Sequence, residues 1–235
     1  AGDDRVPVPA LAVVEHAVAA HEEVVAVALR EAGRELHPGW RQVPHRDRRP
    51  RDARELLRHA GTLDPFASGL LIVAVGREST RQISNFSKMD KTYEVTMKLG
   101  QTSVTGDEEG EKTEISDKKP SVNEVQQAID KFKGEIMQTP HSFSAIKVNG
   151  QRAYKLARKG QEVTIEPRKV TIHSIDMTSY TYPLVKFTAN VSSGTYLRSL
   201  VEDIGKELKT GAYMSDLRRT KIGDFLVDKA EDFGK

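Results

Sequence analysis

Alternating apolar and polar side chains predict strands in the middle and second half of the chain. Residues 93–99 read YEVTMKL, in which every second side chain is apolar. The same alternation occurs more briefly at 170–172 (VTI) and again at 185–191 (VKFTANV). A period of two is typical of a strand with one buried face. We therefore expect three half-buried strands here.

Helical spacing predicts two helices in the same region. Ser121 precedes apolar residues spaced three and four apart, and Glu124 completes a capping box. Gly134 is expected to end this helix. Residues 197–208 show the same spacing, and Gly211 is expected to end that second helix. The strands and helices together predict one mixed α/β domain.

Three other segments give weaker signals. Apolar residues at helical spacing predict a helix over residues 13–36. Residues 41–54 (RQVPHRDRRPRDAR) alternate proline with arginine, which favours a solvated linker over an RNA-binding arm. Residues 102–119, with the acidic centre GDEEG, are predicted to be a surface loop.

Composition narrows the classes of function. The chain has 235 residues, 37% of them hydrophobic, and no cysteine, which excludes disulfides, thiolate nucleophiles and cysteine-bound metals. No apolar run approaches the roughly 20 residues that span a bilayer, so we expect a soluble, cytoplasmic protein without a membrane partner. P-loop, dinucleotide-binding, serine-hydrolase and metalloprotease motifs are absent, and no pattern implies a metal or another cofactor.

Charge gives only a local hint of a nucleic-acid partner. The net charge is +2, which is too small to indicate RNA binding on its own. A binding surface would have to come from a cluster of basic residues, which are usually just solvated. The densest candidate is the basic cluster Lys147, Arg152, Lys155, Arg158 and Lys159.

Asp64 has two interpretations. It lies in the segment HAGTLDPFASGLLIVAVG, residues 59–76, just before an apolar run. Local pattern favours a helix cap, because an aspartate side chain satisfies free N–H groups and Pro65 suits the first helical position. The alternative is a catalytic carboxylate. The two roles are compatible, since a turn would hold the group rigidly.

Five segments, read in order, resemble the TruB family of tRNA pseudouridine synthases over residues 58–227. They are HAGTLDPFASGLLIVAVGRES, KTYEVTMKLGQTSVTGDEEGE, TPHSFSAIKVNGQRAYKLARKGQEV, SSGTYLRSLVEDIGKEL and DLRRTKIGDF. The resemblance implies an α+β pseudouridine synthase fold, with a mixed, mostly antiparallel central sheet flanked by helices and a catalytic cleft across the sheet.

The resemblance also implies roles for single residues. Asp64 matches the catalytic aspartate, by attack on C1′ or removal of the C2′ proton. Arg198 matches its ion-pair partner, and a guanidinium suits this because its charge persists on burial. Tyr93 matches the tyrosine that stacks on the flipped uracil and is a candidate for moving the C5 proton. The remaining substrate-binding matches are His59, which fills the space left by the base, Tyr196 and Leu217 in the base pocket, and Lys147 and Arg152 on the tRNA backbone.

The N-terminal segment departs from the family. Residues 1–57 contain none of the family's usual opening motifs, and the first lysine is Lys88. This favours a foreign or disordered segment over a lineage-specific helical replacement. Residues 58–235 are then the catalytic domain, without a complete C-terminal PUA domain.

The implied function is isomerisation of uridine 55 in the tRNA T-arm to pseudouridine, by a cofactor-independent, monomeric enzyme with no obligate protein partner. Two alternatives stay open. One is a noncatalytic tRNA-binding chaperone that keeps the fold, and the other is a guide-dependent, dyskerin-like synthase.

Overall fold

The structure is a computed structural model that describes residues 24–29, 57–75, 77–148 and 150–232. Its strands are β1 Val24–Leu29, β2 Leu57–His59, β3 Ser68–Val75, β4 Lys91–Leu99, β5 Gln101–Ser103, β6 Lys112–Glu114, β7 Gly134–Gln138, β8 Lys147–Val148, β9 Gln151–Arg152, β10 Arg168–Thr181, β11 Leu184–Val191, β12 Ala212–Ile222, β13 Phe225–Leu226 and β14 Glu231–Asp232. Its helices are α1 Arg77–Ser87, α2 Val122–Asp130, α3 Ala153–Ala157, α4 Leu197–Leu208 and the short 3-10 helix Val227–Lys229.

The fold is α+β, and most pairings between the described strands are antiparallel, which confirms the expected class. The described residues form two compact units. Unit 1 contains the residues up to Met89 and those from Thr220 onward, and unit 2 contains Asp90–Arg219. No helix among the described residues is long and apolar enough to cross a membrane.

Unit 2 is built on the strand order β12, β4, β11, β10, β7. The alternation predicted for β4 is confirmed, because Tyr93, Val95, Met97 and Leu99 are buried while Glu94 is exposed. β11 pairs antiparallel with β4, and its own alternate residues are also buried. These two strands therefore share a continuous apolar surface.

Helices α2 and α4 pack on each other, α2 also against β10 and α4 against β4. The capping box predicted for α2 is present, with Ser121 and Glu124 bonded reciprocally. The predicted ends differ from the structure. α2 ends at Asp130. α4 ends at Leu208 and is followed at once by Lys209 with left-handed backbone, although Gly211, two positions further on, also has positive φ.

The predicted surface loop at 102–119 is wrong in part. Strands β5 and β6 form a hairpin within it, and Ser103, Gly106 and Asp107 are buried. The turn between the two strands directs Asp107 inward while Glu108 and Glu109 stay exposed. One residue of this acidic run, Asp107, therefore faces the protein interior.

Unit 1 is organised around β3. β1 pairs in parallel with β3 from Val24 to Leu29. β2 pairs antiparallel with the C-terminal end of β3, residues 73–75. The unit's apolar core is Ala60, Leu70, Ile72, Ile222 and Val227.

The helix predicted over residues 13–36 is wrong where the structure describes it, because residues 24–29 (VVAVAL) form a strand. Three of these six residues are valine, whose branched side chain favours strands, and parallel strands read as continuous apolar runs. The rest of that predicted helix and the predicted linker at 41–54 lie outside the described residues.

Candidate active site

The predicted site residues are distributed over both units. Unit 1 carries His59 and Asp64, and unit 2 carries Tyr93, Lys147, Arg152, Tyr196, Arg198 and Leu217.

Asp64 begins a tight turn between β2 and β3. Its backbone oxygen accepts a hydrogen bond from Ala67 N at 2.9 Å, with Pro65 as the second residue of the turn. Proline suits this position because its fixed φ matches the turn. The predicted helix cap is wrong, since the element that follows is strand β3. Leu63 and Ala67 are buried on either side, so the half-buried Asp64 is held by anchored neighbours.

His59 is the exposed last residue of β2, paired with Val73 of β3. The next residue is fixed, because Ala60 N donates to Ile72 O at 2.8 Å. Gly61 then has φ +90°, a conformation that glycine adopts without strain. The loop from His59 to Asp64 is therefore anchored at both ends.

Arg198 is the second residue of α4 and is only 6% exposed. Its Nη1 donates to Thr105 O at 2.9 Å and lies 3.1 Å from Asp107 Oδ2. Its Nη2 donates to Phe143 O at 3.0 Å. Two loops of unit 2 thus form a cradle for the guanidinium, composed of Thr105, Asp107 and Phe143. The predicted pairing of Arg198 with Asp64 involves residues of different units and stays a prediction.

Asp107 was not predicted from the sequence. Its Oδ2 faces Arg198, and its Oδ1 accepts hydrogen bonds from Thr105 Oγ1 and from Glu109 N. The carboxylate is therefore satisfied by its own turn as well as by the arginine. The available signal was the pair of glycines, Gly106 and Gly110, that bracket the acidic run and mark a tight turn.

Tyr93 lies on the buried face of β4, opposite Ala189 of β11. Lys91, two residues earlier on the same strand, is also buried. Burial and then the positive charge of Arg219 lower the pKa of Lys91 to about 8, and Asp90 opposes this only in part. An amine with a pKa of about 8 therefore shares the Tyr93 side of the strand, and it was not predicted from the sequence.

Tyr196 precedes α4 and is fixed from two sides. The buried Gln138 of β7 accepts from Tyr196 N at 2.8 Å and donates to Tyr196 O at 3.1 Å. The Arg168 guanidinium lies 5.0 Å from the centre of the Tyr196 ring, within cation–π range. Leu217, on β12, is buried. Both predicted pocket residues therefore lie in ordered parts of unit 2.

Lys147 and Arg152 face each other across the β8–β9 hairpin, and both are exposed. Arg152 Nη1 donates to Ala145 O at 2.7 Å, which holds the hairpin closed. Lys155, Arg158 and Lys159 follow on and after α3, and they are exposed as well. The basic cluster is thus a solvent-facing surface. Among the described residues, no group of His, Asp and Glu is arranged to hold a metal ion.

Comparison with family models gives two adjoining matches. Residues 54–197 match the TruB family pseudouridylate synthase N-terminal domain, and residues 198–233 match the tRNA pseudouridylate synthase B C-terminal domain. The junction falls inside the first turn of α4, just before Arg198.

Curated relatives carry the same name. The tRNA pseudouridine synthase B of Aquifex aeolicus (strain VF5) is 44% identical over 175 residues, which are 73% of this chain and 60% of the relative. That of Clostridium novyi (strain NT) is 42% identical over 75% of this chain and 61% of the relative. This chain thus spans about three fifths of the length of these two relatives.

Solved structures support the same fold. A structure titled "Crystal Structure of a Cbf5-Nop10-Gar1 Complex" matches with a TM-score of 0.54 and 28% identity, over 72% of this chain and 41% of that one. The expected pseudouridine synthase fold is therefore confirmed. With a family model matched over residues 54–197 and relatives above 40% identity, the chain belongs to the TruB family of pseudouridylate synthases.

Proposed function

We propose that the protein isomerises uridine 55 in the T-arm of tRNA to pseudouridine. The observation that carries the proposal is the match of residues 54–197 to the family model, a stretch that contains both Asp64 and Tyr93. The relatives' name, tRNA pseudouridine synthase B, supports tRNA as the substrate.

The reaction rearranges one nucleotide without net gain or loss of atoms. The N1–C1′ bond of uridine breaks, a C5–C1′ bond forms, the C5 proton leaves and N1 ends with a proton. Asp64 starts this either by attacking C1′ or by removing the C2′ proton. The position of Asp64 in an anchored turn suits either reaction, because in each case the carboxylate must be held close to the sugar.

The base must leave its stack before it can react, which costs a few kcal/mol. In our proposal Tyr93 stacks on the extruded uracil, Tyr196 and Leu217 line its pocket, and His59 occupies the vacated space. His59 is exposed, as this role requires, whereas Tyr93 and Leu217 are buried, as suits an apolar pocket wall. Arg198 favours the ionised form of Asp64, since a nearby positive charge stabilises a carboxylate.

The proposal is tested by tritium release from tRNA labelled at uracil C5, with the wild-type chain and Asp64→Asn assayed in parallel. We expect release by the wild type and at least a thousandfold slower release by the variant, which keeps the shape of the side chain but loses its charge. Asp228→Asn, at an exposed position of the same unit, is the matched control and should behave as the wild type.

A second substrate, tRNA with cytidine at position 55, should release no tritium if that uridine is the target. Equal rates of tritium release by the wild type and Asp64→Asn would rule out a catalytic role for Asp64. Tight tRNA binding without release by the wild type would instead favour the noncatalytic chaperone, and release only with an added guide RNA would favour the dyskerin-like alternative.

A further inference from the structure

The segment between β7 and β8 contains a histidine whose two ring nitrogens are both bonded. His141 Nδ1 accepts a hydrogen bond from Phe143 N at 3.1 Å, and Nε2 lies 3.1 Å from Glu202 Oε1. A ring nitrogen that accepts an N–H carries no proton, so in the neutral ring the proton is on Nε2, where Glu202 Oε1 is placed to accept it. The ring is nearly buried, with 8% of the side chain exposed.

Glu202 lies four residues after Arg198 on α4, so the two side chains leave the helix on the same side. Arg198 Nη2 donates to Phe143 O, and Glu202 accepts from His141. Two bonds thus tie the short segment His141–Phe143 to one face of one helix.

The same pair touches the other wall of the cradle. A Cβ atom at Gly106 would lie 2.8 Å from Glu202 Oε1 and 3.1 Å from His141 Nε2. Gly106 has φ +73° and lies between Thr105 and Asp107, which hold the other end of the guanidinium. The turn therefore packs directly against the His141–Glu202 pair, with no room for a side chain.

We propose that His141 and Glu202 are positioning residues that set the spacing of the two loops around Arg198. Without the pair, the Phe143 carbonyl and the Gly106 turn lose their common support, and the guanidinium gains freedom to rotate. This inference rests on the proposed function for its effect on catalysis, but not for its effect on Arg198. A displacement of about 1 Å in a positioning group can cost up to a hundredfold in rate.

The kinetic test uses His141→Phe and Glu202→Leu, which remove the bond, and Glu202→Gln, which keeps a carbonyl oxygen to accept it. We expect kcat for pseudouridine formation to fall about 10- to 100-fold in the first two, with KM changed less than about twofold. Glu202→Gln should recover most of the rate. The matched control is His173→Phe. His173 Nε2 also lies 3.1 Å from a carboxylate oxygen, that of Asp90, but both side chains are about half exposed and neither belongs to the cradle.

The second readout needs no turnover. Nitrogen NMR of the Arg198 guanidinium, assigned with Arg198→Lys, should show slow rotation of the side-chain nitrogens in the wild type. His141→Phe and Glu202→Leu should speed that rotation, while the far-UV circular dichroism stays unchanged. If one of them fails to fold, the other carries the test.

Unchanged Arg198 signals in a folded variant would overturn the inference, as would equal losses of kcat in Glu202→Gln and Glu202→Leu. If the wild type forms no pseudouridine, the proposed function fails, and the NMR comparison still decides whether the pair positions Arg198.

Discussion

Arg198 is a buried cation whose stability depends on its immediate partners. It donates to two backbone carbonyls and faces the Asp107 carboxylate, all within unit 2. Burying two charges costs several kcal/mol of desolvation, so such a pair gains little over an apolar one, but loss of one partner is costly. Asp107 is therefore important to the fold as well as to the orientation of the arginine.

Asp107→Asn tests this at the scale of one residue. The change keeps the shape but removes the charge of the Asp107 carboxylate from the buried guanidinium, so we expect the free energy of unfolding to fall by about 3 kcal/mol. Urea titration measures it. Glu109→Gln removes an exposed carboxylate from the same turn and should change stability by less than about 0.5 kcal/mol. Similar losses of unfolding free energy in the two variants would contradict a structural role for the Arg198–Asp107 ion pair.

Lys91 predicts a pH dependence of stability. Its folded-state pKa is about 8, below the ordinary 10.5, so between these values the unfolded chain binds more protons than the native one. Stability should therefore rise with pH in this window, and Lys91 should contribute about 1 kcal/mol of the rise between pH 7 and pH 9.

The measurement is the urea midpoint of the wild type and Lys91→Met at both pH values. The variant should lose this part of the rise. Lys186→Met, at an exposed position on β11, should keep the wild-type dependence. A rise of the same size in Lys91→Met would show that another group is responsible.

At the scale of elements, prediction worked where one periodicity dominated. β4 and β11 alternate strictly, and α2 carries an explicit capping box, so the sequence alone predicts each of them. β1 was missed because a continuous apolar run fits a helix or a buried parallel strand equally well, and only its partner β3 decides.

The residues of the candidate site were likewise predicted only in part. Asp64, Tyr93 and Arg198 were selected by motif. The cradle was not predicted, because its parts lie in two loops far apart in sequence that meet around Arg198 at the start of α4. Pairings of that kind depend on tertiary structure, which a pattern in one stretch of sequence does not contain.

The connection between β7 and α4 gives a prediction at this scale. Gln138 holds the residue before the helix with both its amide atoms, so Gln138→Glu would place a carboxylate oxygen against Tyr196 O. We expect a loss of about 1–3 kcal/mol in the free energy of unfolding, seen as a lower melting temperature. Gln161→Glu, the same change at an exposed position, should leave that temperature nearly unchanged. Equal melting temperatures would mean that this clamp does not stabilise the start of α4.

For the whole molecule, electrostatic attraction to RNA must come from a local surface, because the net charge is only +2. The basic cluster on the β8–β9 hairpin and α3 is the surface that we propose for this attraction. Each phosphate contact releases counterions, so affinity for tRNA should weaken as salt concentration rises.

The double change Lys147→Gln and Arg152→Gln should weaken tRNA binding and reduce the slope of log Kd against log salt by about 1–2. Filter binding at several salt concentrations measures both quantities. The matched control, Lys133→Gln with Lys169→Gln, removes the same charge from lysines that lie 2.9 Å from Asp130 and 2.8 Å from Glu135. An equal effect of both pairs would indicate general attraction instead of a defined contact surface.

Unit 1 combines segments from before and after unit 2 in the sequence, and this affects the order in which the protein folds during synthesis on the ribosome. Its core joins Leu70 and Ile72, made early, to Ile222 and Val227, made only after the whole of unit 2 has been synthesised. The core of unit 1 therefore cannot form until the chain beyond Asp90–Arg219 has been made, and the turn that carries Asp64 waits for this supporting core. During translation the apolar side of β3 lacks these late partners, so this strand is where we expect a chaperone to act on the growing chain.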